Sequence, residues 1–178
     1  MVDSTSIEKA CRFCPRCGKE SEIEQQGRVP FRCTQCGFVN FFGPVAAVGG
    51  LVTNEQGELL LVRRAREPEK GKWGLPGGFV DRNESIEEAL SREVLEETNL
   101  CVSEAHYLTS FPNLYDYAGV VSPVVDLFYL CEVVDQAVIQ LADGELDSFL
   151  WVEPTQEHLS EMAFPSNRRA IEHWLGGV

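Results

Sequence analysis

The sequence predicts an α/β domain, a mixed sheet covered on both sides by helices, preceded by a small four-cysteine unit. Three observations point there. Strand-like and helix-like runs interleave after Pro44. A C-x2-C pair near the N-terminus recurs after a fifteen-residue interval. A glycine turn ending at Gly78 runs into a helix with three glutamates on one face. The expected division is residues 1–42 for the cysteine unit with its short tail and 43–178 for the α/β domain.

The first part reads CRFCPRCGKESEIEQQGRVPFRCTQCGFVNF. Cys14 and Cys17 form one knuckle, and Cys33 and Cys36 form the second. A glycine follows each pair and frees the backbone to turn back on an ion. Four thiolates at this spacing suit structural, tetrahedral Zn2+, and so small a unit draws folding energy from its metal. An iron centre or a redox dithiol is the other chemistry that such pairs serve. Cys11 falls outside the symmetric pattern, while Cys101 and Cys131 stand in apolar runs and are expected as buried small hydrophobes.

In the second part, Val45–Val52 is a small-residue apolar strand. Glu58–Arg64, across a turn at Asn54–Gly57, is its expected hairpin partner. Residues 71–78 form a glycine-rich loop around Trp73 and Pro76. Ser85–Thr98 is a helix, because Ile86, Ala89, Leu90 and Val94 keep a helical period and face the core. Strands over His106–Phe111, Val121–Val134 and Phe149–Val152, then a helix over Ser166–Leu175, complete the pattern. There is no internal repeat and no low-complexity segment.

Composition bounds the function. With 44% hydrophobic residues the chain can build a core. Fifteen basic and 28 acidic side chains give a net charge of -13, which argues against a nucleic-acid surface. Phosphorylated small molecules stay compatible with that charge, since bound cations invert the local field. No apolar run approaches the ~20 residues of a membrane span, and the first residues lack the blocks of a signal peptide. The expectation is a cytoplasmic protein without a membrane partner, in which paired cysteines favour metal over disulfide.

Glu93, Glu96 and Glu97 are neighbours on the helix, and like charges so placed destabilise it. A hard cation such as Mg2+ offsets the repulsion and brings water and substrate phosphates into its shell. The Gly78 carbonyl is a candidate for the same cation. Glu84 and Arg92 are placed to pair and pin the loop against the helix. The plainer reading is a solvated acidic face with Arg92 as its partner. One of Arg63 and Arg64 reaches a substrate phosphate through its planar fork, or the two form an ordinary basic strand end. Trp73 is expected in the core. Glu145 or Asp147 supplies a further ligand or helps activate water, or both belong to a polar loop.

These residues match a box of glycine, five residues, glutamate, seven residues, then Arg-Glu-apolar-any-Glu-Glu-any-Gly-apolar, and the chain resembles the Nudix hydrolase family. The box is Gly78, Glu84, Arg92, Glu93, Val94, Glu96, Glu97 and Leu100, with Asn99 where the family has glycine. Asparagine is the substitute best able to adopt the left-handed conformation of a helix end. The preceding WGLPGGFVD, the four-cysteine unit, GELDSFLW and FPSNRRAIEHWL resemble the ribbon-bearing branch with NADH and ADP-ribose pyrophosphatases. That branch carries Ser-Gln-Pro-Trp-Pro-Phe-Pro after its box, whereas residues 109–120 read TSFPNLYDYAGV and lack its second half. Strict NADH preference therefore does not follow. Phe111, Tyr115 and Tyr117 in this region are candidates for stacking on a base, or are edge-strand and core aromatics.

The resemblance implies a Nudix α/β/α sandwich behind a zinc ribbon. It also implies hydrolysis of the pyrophosphate bond in a nucleoside diphosphate linked to X, with X of the ADP-ribose, NADH or FAD type. Mg2+ or Mn2+ would sit on Gly78, Glu93, Glu96 and Glu97, and Glu84, Arg92 and Glu145 would complete the catalytic set. The expected products are a nucleoside monophosphate and phospho-X, and the expected assembly is a homodimer. Nucleoside-triphosphate cleanup is the second enzymatic reading. A non-catalytic nucleotide sensor is the third, and the intact helix glutamates argue against it.

Overall fold

The computed structural model describes residues 4–23, 26–134 and 138–177. The chain divides into two compact units, Met1–Val45 with Leu114–Val124, and Ala46–Asn113 with Val125–Val178.

The first unit contains β1 (Thr5–Ser6), α1 (Ile7–Ala10), β2 (Phe31–Arg32) and β3 (Val39–Asn40). β2 and β3 pair antiparallel, with Phe31 opposite Asn40. Phe31, Cys14 and Cys33 are buried together, with Cys36, Phe38 and Phe42 packed around them. This cluster is too small to stabilise a fold by burial alone.

The remaining elements are β4 (Val45–Val52), β5 (Leu59–Arg64), β6 (Trp73–Gly74), α2 (Ile86–Thr98), β7 (Val102–Tyr117), β8 (Val120–Val133), β9 (Leu146–Val152), α3 (Gln156–Ser160) and α4 (Pro165–Leu175). β7 and β8 form a long hairpin whose tip, Ala118–Gly119, has positive φ at both residues, the geometry that matches strand twist. β8 also pairs β4, and at the tip β1 runs parallel to it, so the sheet is mixed. A second sheet has the order β6-β5-β9, antiparallel throughout.

Alternation along β5 distributes the core. Leu60 and Val62 join Val48 and Val52 of β4 under Ala89, Leu90 and Val94 of α2. Leu59 and Leu61 point the other way, to Leu159 and Met162 of the α3 region and Ala170 and Ile171 of α4. The strands are therefore buried on both faces, which explains why β5 reads as a continuous apolar run.

Several expectations need correction. β4 and β5 are not hairpin partners: the turn forms, with Asn54 N–H donating to Glu58 O at 3.0 Å, but the strands enter different sheets and share one bridge, Thr53 to Leu59. β5 takes β6 and β9 as neighbours instead, while β4 lies beside β8. β7 is far longer than His106–Phe111, because its mostly exposed residues carry little apolar signal while the hairpin with β8 supplies the pairing. α3 went unread; at five residues it is too short for periodicity, and its sign is the Thr155–His158 capping box. Cys131 is buried as expected, but Cys101 is exposed at the start of β7. Among the described residues, no helix is long and apolar enough to cross a membrane.

Candidate active site

The site is built on both ends of α2. Ser85 caps its N-terminus, accepting from Glu88 N–H, while the Glu88 carboxylate accepts from Ser85 N–H. At the other end Asn99 is left-handed, φ 64°, as the family-glycine position suggested. A short helix is thereby fixed in length and angle, and with it the glutamates.

Arg92 organises the loop before the helix. Its Nε and Nη2 donate to the two oxygens of Glu84 at 2.7 and 2.9 Å, a bidentate clasp. Nη2 also reaches Phe79 O at 3.2 Å. Nη1 donates to Glu93 at 2.8 Å and Glu96 at 3.1 Å. The Arg92 guanidinium and the Asp81 N–H hold the Glu84 carboxyl below the usual range.

Glu97 is held differently, accepting from the Gly77 N–H at 2.9 Å. Gly77 could be no other residue, since a Cβ there would lie 2.1 Å from Val48 O. At Gly78 a Cβ would lie 2.6 Å from the Glu93 carboxyl carbon, so any other residue there would make the Glu93 side chain shift. The Gly78 carbonyl accepts from Val48 N–H at 2.9 Å, which leaves one lone pair for a further partner. Burial pushes the Glu97 pKa up to about 8 against the Gly77 hydrogen bond, and the nearby charges of Glu93 and Glu145 add to the rise. Burial also raises Glu93, opposed by Arg92. Glu96 is mostly solvated.

Two crowded carboxylates with raised pKa values form a hard-oxygen donor set short of positive charge, and that chemistry fits Mg2+ or Mn2+. The glutamate trio does not converge on one point; among the described residues, only the four cysteines bring their ligand atoms within 4.8 Å of one another. Arg92 Nη1 bridges Glu93 and Glu96, while the Gly77 amide holds Glu97 separately.

The other candidates are distributed as follows. Glu145 lies near enough to raise Glu93 and Glu97, and Arg66 holds its carboxylate at 2.7 Å. Arg64 Nε donates to Pro68 O at 2.7 Å, its guanidinium lies 5.2 Å from the Phe164 ring centre, and its charge lowers Glu97. Arg63 points away to Asp147, at 2.6 Å, beside Trp73. Phe111 belongs to the second unit and carries Arg169 over its ring, whereas Tyr115 and Tyr117 belong to the first. The sequence reading missed Gly77 and Arg66; the first was visible as the glycine beside Gly78, while the second needs the register that brings β5 to Glu145.

In the first unit, Cys14 Sγ lies 3.7 Å from Cys36 Sγ, and Cys17 Sγ 3.6 Å from Cys33 Sγ. Thiolates about 2.3 Å from a tetrahedral Zn2+ stand about 3.8 Å apart, so the quartet fits that ion. Cys11 turns aside to Phe13 O.

The glycine-hinged loop, the arginine clasp and the glutamate helix on this fold are those of the Nudix family: a family model for the NUDIX domain matches residues 43–174, and the chain belongs to that family. Among relatives, the NAD-capped RNA hydrolase NudC of Haemophilus influenzae is 31% identical over 153 residues, 84% of this chain and 54% of that one. The chain thus spans about half the length of such curated relatives. The ADP-ribose pyrophosphatase of Methanocaldococcus jannaschii is 43% identical over 60 residues, 34% of this chain and 35% of that one. The NUDIX domain of Shewanella oneidensis NrtR, solved in complex with ADP ribose, is 26% identical with a TM-score of 0.60, over 75% of this chain and 88% of that one.

Proposed function

We propose that the protein hydrolyses the pyrophosphate bond of an adenine nucleotide linked to a second group, with ADP-ribose, NADH and FAD as the substrate class. The observation that supports this most directly is the Glu93–Glu97 pair, its pKa values raised by burial, beside the Gly77–Gly78 turn and braced by Arg92. The relatives named for NAD-capped RNA and ADP-ribose support the same bond, the pyrophosphate between an adenosine and a second ribose.

Glu93, Glu97, Glu96 and the free lone pair of Gly78 O would hold Mg2+ or Mn2+. Bound there, such ions lower the pKa of a coordinated water and neutralise charge on the phosphoryl oxygens. Arg92 fixes the distance between loop and helix through its clasp on Glu84, so that the carboxylates meet the substrate in a set geometry. Gly77 N–H keeps the Glu97 carboxylate turned toward the loop. Glu145 adds acceptor charge, and Arg64 faces Glu97 as a donor for phosphate. In the first unit Cys14, Cys17, Cys33 and Cys36 would hold one structural Zn2+, making residues 1–42 a ribbon and 43–178 the catalytic domain.

The test is incubation with Mg2+ or Mn2+ and a mixture of ADP-ribose, NADH, FAD, nucleoside triphosphates and NAD-capped RNA in 18O-water, with products identified by mass. Release of AMP and phospho-X, with one 18O in either, is the expected result. Release of inorganic pyrophosphate from triphosphates alone would move the assignment to nucleotide cleanup. Nucleotide binding with no turnover under either metal would overturn the catalytic reading.

A further inference from the structure

Among the described residues, the buried set contains one charged side chain, Asp126 of β8, 7% exposed. Both of its hydrogen bonds fall on Oδ2, which accepts from Asn113 Nδ2 at 2.9 Å and from the Ser166 hydroxyl. No hydrogen bond seen among the described residues reaches Oδ1.

Three elements meet there. Phe111 and Asn113, two apart on β7, face the same side as Asp126 and Phe128 of β8. The Phe111 and Phe128 ring centres are 6.4 Å apart. Ser166 and Arg169, three apart on α4, are neighbours along the helix, Ser166 buried and Arg169 exposed at its edge. The Arg169 guanidinium lies 4.0 Å from the Phe111 ring centre. A carboxylate with one uncommitted oxygen thus shares a small area with a flat cation–aromatic stack.

Anchoring α4 to the sheet does not account for this. Ser166 and Asn113 would be satisfied by a neutral amide, which costs far less to bury than a carboxylate. Burial raises the Asp126 pKa, so ionisation there carries a cost. What a carboxylate offers and an amide oxygen does not is a second strong acceptor for an outside N–H. What the guanidinium of Arg169 offers, with one face on Phe111, is a planar surface of the kind on which bases stack.

We propose that Asp126 reads the nucleobase of the substrate: Oδ1 accepts the exocyclic amine of adenine while the ring stacks beside the Phe111–Arg169 pair. This rests on the adenine-nucleotide reading above and adds a specificity-determining residue to it. Asp126 lies outside the box that defines the family and outside the residues that face the phosphates.

The experiment is calorimetric binding of AMP and of purine riboside 5′-monophosphate, which lacks only the 6-amine, to the full chain, to Asp126→Asn and to Ser166→Ala, with ADP-ribose hydrolysis measured in parallel. The wild type should prefer AMP by about tenfold or more, since a site built around a donor rejects the analogue lacking it. Asp126→Asn should abolish the preference, because it can present an amide N–H where an acceptor stood. Ser166→Ala should keep the preference while melting earlier. Equal binding of the two nucleotides by the wild type overturns the proposal without any variant. So does a preference that survives Asp126→Asn, or one lost as fully in Ser166→Ala. If ADP-ribose is cleaved while the two nucleotides bind alike, this inference alone falls. If AMP does not bind and no adenine nucleotide is cleaved, the functional reading falls with it.

Discussion

At Glu97 the cost of a buried carboxylate can be set against its proposed role in the site. Its pKa, pushed up to about 8 by burial, exceeds the ordinary 4.5, so the folded metal-free protein holds that proton more tightly than the unfolded chain. Its contribution to stability is therefore full below the ordinary carboxylate range and is lost as pH rises through about 8. We expect Glu97→Gln to raise the metal-free Tm at pH 8, by roughly 2–4 °C for each kcal/mol recovered, while turnover falls by at least about 100-fold. A thermal melt and a rate at that pH read both; full activity would remove Glu97 from the site. Deprotonation also precedes cation binding here, so Mg2+ affinity should rise with pH until about 8 and then level off. Glu84 behaves oppositely. Arg92 holds its pKa down, so its stabilisation is present above the ordinary range and lost as acid titrates the folded carboxylate. Glu84→Gln should flatten the acid limb of a Tm-versus-pH curve, and an unchanged limb would show that the clasp adds nothing.

At the scale of the element, α2 is defined by its ends. Asn99 adopts the left-handed conformation that the family assigns to glycine. Asn99→Gly should be neutral or stabilising, while Asn99→Val should cost about 1–2 kcal/mol, since a side chain branched at Cβ meets the following carbonyl there. Urea unfolding measures both, and equal stability of the two variants would mean that the cap adapts. The helix was legible from its apolar period and its serine cap. The β4–β5 pairing was misread because a good turn at Asn54–Gly57 implies a hairpin locally, while the choice of sheet depends on distant neighbours. β7 was truncated because none of its residues is fully buried and over half are exposed, so its apolar signal is weak.

At the scale of the whole molecule, the two compact units rest on different physics. The second is stabilised by two apolar clusters, one on each side of its strands. The first has a buried cluster of Phe31 and two cysteines, too small to stabilise a fold by burial alone. We expect one Zn2+ per purified chain by elemental analysis. Cys33→Ser should lose it and add a low-temperature transition in calorimetry, with the main transition of the α/β domain preserved. A chain free of zinc that melts unchanged would make the quartet a redox or incidental feature. The family and the glutamate helix were legible because their residues lie close together in the chain, at the spacings of the box. The reach of Glu145 toward Glu93, the Arg66 ion pair and the Asp126 cluster were not, because each needs side chains far apart in the chain, such as Arg66 with Glu145 and Asp126 with Ser166.

The sequence by itself determined the Nudix box, the cysteine pairs and the capped helix. All are local patterns, in which covalent spacing and helical period decide which side chains meet. Only the tertiary structure decided which carboxylates are desolvated, that Gly77 rather than a side chain orients Glu97, that β4 and β5 part company, and that a charge is buried at Asp126. Those properties arise from packing between distant segments, where burial and the fields of non-neighbouring charges set the energy of each group.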